Sequence, residues 1–169
     1  MNKRRWIHAA ILLIVCLSVL LDQGMKWLVV NIIMQPPDVI PLLPFLNLRL
    51  GFNTGVSFGL FNELFADAPV LLASLMFLIV GGLAFWAWRA QTWTELIGLS
   101  LVIGGALGNI IDRLRLGAVV DFLDLHAAGW HWPTFNTADI GITAGAALLL
   151  LSSLSNQRLI EESAGAPLR

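Results

Sequence analysis

The sequence predicts a membrane-embedded all-α fold with a small β element, built as one unit around four membrane-crossing helices. Three observations predict it. Only 12% of the 169 residues are charged and 57% are hydrophobic, where soluble domains carry ~25% charged residues. Four apolar runs approach the ~20 residues that cross a bilayer's hydrocarbon as helix. One stretch between the first two runs alternates apolar and polar residues, the period of a half-buried strand. The length is too short for two sizeable domains. A net charge of −1 with no basic stripe argues against a nucleic-acid partner.

The first run covers about residues 6–34 and is notched by Asp22-Gln23-Gly24-Met25-Lys26. Lys3, Arg4 and Arg5 precede it, as in an export signal, but it ends Ser18-Val19-Leu20-Leu21-Asp22 with no small-residue cleavage site. Leu13-Ile14-Val15 before Cys16 are bulky where lipid attachment wants small residues. The expectation is a retained anchor. Cys16, the sole cysteine, allows neither an internal disulfide nor a Cys-based metal site, and reads as a packing or lipid-facing residue. The other runs span about 68–88, 93–111 and 138–154. Trp6, Trp86, Trp88, Trp93, Trp130 and Trp132 fall near span ends, at the headgroup depth that indoles favour. Trp27 fits only if the first helix projects beyond the bilayer.

Four spans put both termini on one side. That side holds Lys3, Arg4, Arg5, Arg89, Arg158 and Arg169, and the other holds Lys26, Arg49, Arg113 and Arg115. The excess of basic residues places the termini in the cytoplasm. Gly104-x-x-x-Gly108 and Gly141-x-x-x-Gly145 allow close helix approach within the chain.

The outer segment, 35–67, opens with Pro36, Pro37, Pro41 and Pro44, which end the helix. Leu46-Asn47-Leu48-Arg49-Leu50-Gly51-Phe52-Asn53 then alternates as a strand; Asn53-Thr54-Gly55 turns the chain, and Val56-Ser57-Phe58-Gly59-Leu60 resumes the alternation. A second alternating piece, 117–125, is expected to pair with the first and cover its edge. The tail beyond Ser155 is polar and expected to fray.

Asp121 and Asp139 stand out as carboxylates where apolar runs meet water, a costly position. Brought together they share one proton, and such a pair activates water on one side and protonates a carbonyl on the other, with no metal, Ser or Cys required. Blander readings stand beside this. Asn136-x-x-Asp139 has the form of a helix cap with an acid in the first turn. Asp121 suits a strand residue facing water and paired with Arg113 or Arg115, and both acids suit a proton or ion relay in a small transporter. Asn109, Asp112 and Arg113 share one helical face: they either position a substrate and the acids, or form a hydrogen-bonded helix end with Arg113 snorkelling to phosphate. Asp22 and Lys26 form an i, i+4 pair that reads as scaffold. Gly55-Val56-Ser57-Phe58-Gly59 matches the G-x-S-x-G nucleophile pattern but lacks an immediately following helix and a triad base. A serine intramembrane protease using Ser57 is therefore a rival reading. His126 and His131 with Asp121 or Asp124 do not have diagnostic metal-ligand spacing; interfacial histidines beside Trp130 and Trp132 are the plainer expectation, and no metal is expected.

The blocks Asp22-Gln23-x-x-Lys26, Asn53-x-Gly55-x-x-Phe58, Gly108-Asn109-x-x-Asp112-Arg113-x-x-x-Gly117-x-Val119-x-Asp121-Phe122 and Phe135-Asn136-x-Ala138-Asp139 occur in that order. With that order and spacing, over about residues 7–155, the chain resembles the lipoprotein signal peptidases (signal peptidase II) of bacteria. The resemblance implies an aspartic endopeptidase of the cytoplasmic (inner) membrane, with four spans, cytoplasmic termini, an extracytoplasmic β-cradle and an active site near the outer face; a monomer is expected. It implies Asp121 and Asp139 as the catalytic pair, with Asp22, Lys26, Asn53, Gly55, Asn109, Asp112, Arg113 and Asn136 supporting the pair or holding substrate. The implied substrate is a prolipoprotein cut just before its diacylglyceryl-modified cysteine; implied inhibitors are globomycin-type cyclic peptides, membrane lipid is the surroundings, and no cofactor is implied. Met25 and Val56 depart from the family's usual smaller residues. Asp124 lies three residues past Asp121, on the opposite face of a strand, and is not assigned catalysis.

Overall fold

The computed structural model describes residues 3–55 and 68–165. Helix α1 (Lys3–Leu28) closes in one π-helical turn, Val29–Ile33. Helix α2 (Pro69–Trp88) opens on a proline, whose missing N–H costs nothing in the first turn. Helix α3 (Trp93–Leu116) is capped by Thr92, whose Oγ1 accepts from Glu95 N at 3.1 Å, and stops at Gly117, which takes the left-handed φ of 76° that favours glycine. Helix α4 covers Thr137–Gly165. Trp6–Ile33, Pro69–Trp88, Trp93–Leu116 and Thr137–Leu154 are each long and apolar enough to cross a membrane.

The helices sort by what they bury. In α3, 61% of the most apolar window is buried inside the bundle, against 22% or less in the other three, so α3 is the central helix. Leu12, Leu17 and Leu20 of α1, and Phe77, Leu78 and Phe85 of α2, point outward, as suits a surface bathed in hydrocarbon. The core joins Ala73, Val80 and Ala87 of α2 to Leu99, Ile103, Ala106 and Ile110 of α3. Small residues set the contacts on either side. A Cβ on Gly108 would overlap the Asp22 carboxylate of α1, and one on Gly104 would meet Ser18 Cβ at 2.5 Å. On the other side Gly98 and Gly145 stack, each Cβ position within 2.9 Å of the other's carbonyl oxygen. Gly104, Gly108 and Gly145 thus serve packing within the chain, whereas a Cβ on Gly141 would meet only Leu101 O at 3.7 Å.

The small sheet is antiparallel, in the order β1 (Val39–Leu43), β2 (Leu46–Asn53), β3 (Val119–Ala127), β4 (Trp130–His131). Strand β2 coincides with the alternating stretch and pairs with β3, Gly51 opposite Asp121 and Asn53 opposite Val119, with a bulge between Leu48 and Gly51. The expected pairing of the two alternating pieces is therefore observed. Strand β1, hidden in the sequence by its prolines, is an edge strand, where Pro41 needs no N–H partner on its open side. The β3–β4 turn passes through Ala128 and Gly129, both at positive φ, the backbone that a tight hairpin demands. A second apolar cluster, Val29, Met34, Leu48, Val120 and Phe122, fastens the sheet to the end of α1.

Connectivity puts the sheet at one end of the bundle. It receives the C-terminal ends of α1 and α3 and hands the chain to the N-terminal ends of α2 and α4. Helix α3 runs past residue 111, the expected edge of its span, to Leu116, and Asp112 and Arg113 are buried on it. The helix assigned to the last span extends to Gly165.

Candidate active site

The site begins on α1 and α3, where Asp22, Lys26, Asn109, Asp112 and Arg113 are all buried. The three residues of α3 share a face by their i, i+3, i+4 spacing. The Lys26 ammonium donates to three acceptors: Asp22 Oδ2 and Asp112 Oδ2 at 2.8 Å, and Asn109 Oδ1 at 2.9 Å. Each of its three N–H groups has a partner, the condition under which a buried cation is tolerated. Gln23 Nε2 adds bonds to Asp112 Oδ1 (2.9 Å) and Gly108 O (3.2 Å).

These groups tie the elements together. Asp112 Oδ2 accepts from Val120 N at 3.1 Å, which pins β3 to α3. Asp22 Oδ1 accepts from Thr137 Oγ1 (2.8 Å) and Ala138 N (3.0 Å). A carboxylate of α1 thus caps the N-terminus of α4, satisfying orphan amides and facing the positive end of its dipole. The lead-in to α4 is held from the other side, where Phe135 bridges Leu123 of β3 through Phe135 N to Leu123 O (3.0 Å) and Leu123 N to Phe135 O (2.8 Å).

That docking brings Asp139 to Asp121. Asn136 Oδ1 accepts from Asp139 N and Asn136 N donates to Asp139 Oδ2, each at 3.1 Å, a reciprocal capping box. The Asn136 amide then donates to Asp121 Oδ1 at 2.7 Å and to Asn109 Oδ1 at 3.2 Å, while Asn109 Nδ2 donates to Asp139 Oδ1 at 3.0 Å. Asp139 is therefore both the cap residue of the plainer reading and a wall of a cavity. That cavity, about 170 Å³, is lined by Asp121, Asp139, Asn53 and Arg113 among polar groups and by Met76 and Phe135 among apolar ones.

Asp121 is not a water-facing strand residue: it is 3% exposed, and among the described residues no ion pair joins it to Arg113 or Arg115. Burial, and then the nearby charge of Asp139, push its carboxyl up to about 6, against hydrogen bonds from Asn136 and Asn53 and the charge of Lys26. Asn53 also accepts from Gly55 N at 3.0 Å, and Gly55 O in turn accepts from Arg113 Nη2. Arg113 does not snorkel to phosphate. It is 3% exposed, and Nη1 donates to Asn109 O at 3.3 Å, so it links the end of β2 to α3.

All ten sequence-predicted residues thus fall in one connected cluster. Gln23 and Thr137 were not expected as members; a glutamine beside Asp22 in an apolar run, and a hydroxyl directly after a cap residue, were the available signals. Ser57 and Val56 lie outside the described residues. Asp124, on the other face of β3, is buried with Asn47 Nδ2 at 3.2 Å and His131 Nδ1 at 2.8 Å. Burial raises its carboxyl, but the bonds from His131 and Asn47 outweigh it and hold it below the usual range. Among the described residues no three His, Cys, Asp or Glu side chains are grouped to hold a metal.

Residues 14–155 match the family model described as Signal peptidase (SPase) II. The chain is 42% identical over 142 residues to a lipoprotein signal peptidase of Rhodopseudomonas palustris, covering 81% of this chain and 87% of the relative. It is 42% identical over 138 residues to one of Thermodesulfovibrio yellowstonii, covering 82% and 90%. Its fold is similar to that of a solved bacterial membrane enzyme with a TM-score of 0.78 and 27% identity, covering 95% of this chain and 94% of the other. A second bacterial membrane enzyme gives 0.72 and 29%, covering 86% and 93%. A family match that reaches from α1 through the membrane-crossing part of α4, with relatives alike over most of their length, shows that the chain belongs to the signal peptidase II family, the lipoprotein signal peptidases.

Proposed function

We propose that this lipoprotein signal peptidase is an aspartic endopeptidase that removes the signal peptide just before a diacylglyceryl-modified cysteine. One observation carries the proposal: a single asparagine, Asn136, hydrogen-bonds both Asp121 and Asp139 where the two acids line one cavity. In the proposed reaction Asp139, whose carboxylate accepts from Asn136 N and Asn109 Nδ2, is the anion and takes a proton from water. Asp121, whose burial favours the neutral acid, donates its proton to the scissile carbonyl oxygen as the water oxygen bonds to carbon. The tetrahedral diol then collapses. Its C–N bond breaks, the proton held by Asp139 passes to the leaving amine, and a hydroxyl proton returns to Asp121. The products are the carboxylic acid of the signal peptide and the free amine of the lipidated cysteine.

The supporting residues have distinct tasks in this reading. Asp22, Lys26 and Asp112 lock α1, α3 and β3 into one frame, Asn109 and Asn136 orient the acids, and Arg113 with Asn53 and Gly55 shapes the outer wall. The substrate's acyl chains stay in lipid while the extended peptide lies along the sheet, whose main chain offers hydrogen bonds to it. In this reading the termini lie in the cytoplasm and the cavity near the outer face of the cytoplasmic membrane, an orientation that the excess of basic residues at the far end supports. Globomycin-type cyclic peptides occupy the same cavity, and the working unit is one chain.

The test presents purified protein with a diacylglyceryl-modified prolipoprotein and with its unlipidated twin. Cleavage of the modified form alone, just before the cysteine and stopped by globomycin, is expected. Equal cleavage of the unlipidated twin contradicts the substrate assignment.

A further inference from the structure

Two cavities meet at the end of the bundle remote from the carboxylates. The larger, about 530 Å³, is walled by Ile7, His8, Trp88, Arg89, Ala90 and Gln91. The other, about 380 Å³, shares Ile7, Ala90 and Gln91 and continues along Trp6, Trp93 and Leu96. The first presents a guanidinium, an imidazole and a carboxamide; the second is mostly aromatic and aliphatic. His8 stacks on Trp88 with ring centroids 3.8 Å apart, which joins the start of α1 to the end of α2 and closes one side.

Among the residues that line the two cavities Arg89 is the one charged side chain. The Arg89 guanidinium lies over the Phe85 ring, 4.8 Å from its centroid. That contact uses the face of the guanidinium and leaves its N–H edge for oxygen acceptors. No carboxylate among the described residues pairs with it. The acid nearest in sequence, Glu95, is engaged by Trp86 Nε1 at 2.6 Å and Gln91 N at 2.9 Å, and lines neither cavity. Tryptophans at both rims set this region at headgroup depth.

We propose that the paired cavities bind one anionic phospholipid. Its phosphate sits beside Arg89, His8 and Gln91, and an acyl chain follows Trp6, Trp93 and Leu96. A polar chamber opening into an apolar groove matches an amphiphile better than a free anion, which would leave the groove empty. The larger chamber falls within the ~300–1,000 Å³ of ordinary ligand sites. The planar guanidinium offers paired N–H donors to phosphate oxygens. This site is separate from the carboxylate cavity and does not depend on the peptidase chemistry.

Native mass spectrometry of the full-length protein in detergent tests it, with added phosphatidylglycerol or phosphatidylcholine of identical chains. The wild type is expected to retain one phosphatidylglycerol in preference to phosphatidylcholine. Arg89→Gln, an exposed position whose change leaves the fold intact, weakens phosphatidylglycerol retention about fivefold, the weight of one basic residue at an anionic lipid surface. Arg115→Gln, at the other end of α3, leaves retention unchanged, and millimolar inorganic phosphate does not displace the lipid. Equal retention of the two lipids, undiminished phosphatidylglycerol on Arg89→Gln, loss on Arg115→Gln, or displacement by inorganic phosphate each overturns the proposal.

Discussion

Asp121 and Asp139 are held by the same asparagine but sit on different elements. Asp139 closes a capping box at the positive end of a helix, and Asp121 lies on a buried strand, where burial is the largest influence raising its carboxyl. A raised Asp121 makes two linked predictions. In the proposed chemistry Asp121 must carry a proton, so kcat/KM, which reports the free enzyme, falls as pH rises through about 6. For stability the sign is the same. The folded state binds this proton more tightly than the unfolded chain does, so the stabilisation is complete below 3.8 and is lost as pH rises to about 6. Asp121→Asn removes that loss and is expected to raise the melting temperature above pH 6, by an amount corresponding to roughly 3 kcal/mol or less. A melting temperature of Asp121→Asn equal to wild type at pH 8 contradicts the assigned burial. At this scale the acids were legible from the cost of placing carboxylates near lipid. The fate of Arg113 was not, because snorkelling and inward pairing leave the same sequence trace, and the Gly55 carbonyl that receives it sits far away in the chain.

Elements were read with uneven success, for physical reasons. The extent of strand β2 was legible from its apolar–polar alternation, but burial does not follow that alternation: Asn47 is buried and Phe52 exposed. Strand β1 was masked because prolines that stop a helix are also tolerated on a sheet edge. The third span was expected to end near 111, with Asp112 and Arg113 still on a helical face at its mouth; the helix runs on to Leu116, and Asp112 holds Lys26 and Val120 N from it. The link between α1 and α3 is where element packing is most exposed to change. Lys26→Met leaves Asp22 and Asp112 buried with their shared cation gone, and breaking a buried pair in this way costs about 3–5 kcal/mol. Thermal unfolding in detergent is expected to show that loss. An unchanged melting temperature means the triad is more hydrated than its burial indicates. Gly108→Val acts on the same seam through steric overlap with Asp22.

Across the whole molecule, three ties gather distant parts of the chain at one end of the bundle. Asp22 caps α4, Asp112 holds β3, and Phe135 bridges Leu123. The sequence announced four spans and the boundary position of the acids, but none of these ties, each of which joins residues with no pattern in common. Sidedness follows at this scale. In a Cys16→Ala background, Ala128→Cys in the β3–β4 turn is expected to react with a membrane-impermeant maleimide on intact cells, and Gln91→Cys in the α2–α3 connection only after lysis. The reverse pattern inverts the proposed topology. The central claim, that two acids brought together by Asn136 perform the cleavage, is tested most directly by turnover of a diacylglyceryl-modified prolipoprotein by purified Asp121→Asn, Asp139→Asn and Ser57→Ala. The account predicts folded, membrane-inserted Asp variants without activity and a Ser57 variant that still cuts; an Asp variant cutting at the wild-type rate, or activity lost with Ser57 alone, would contradict it.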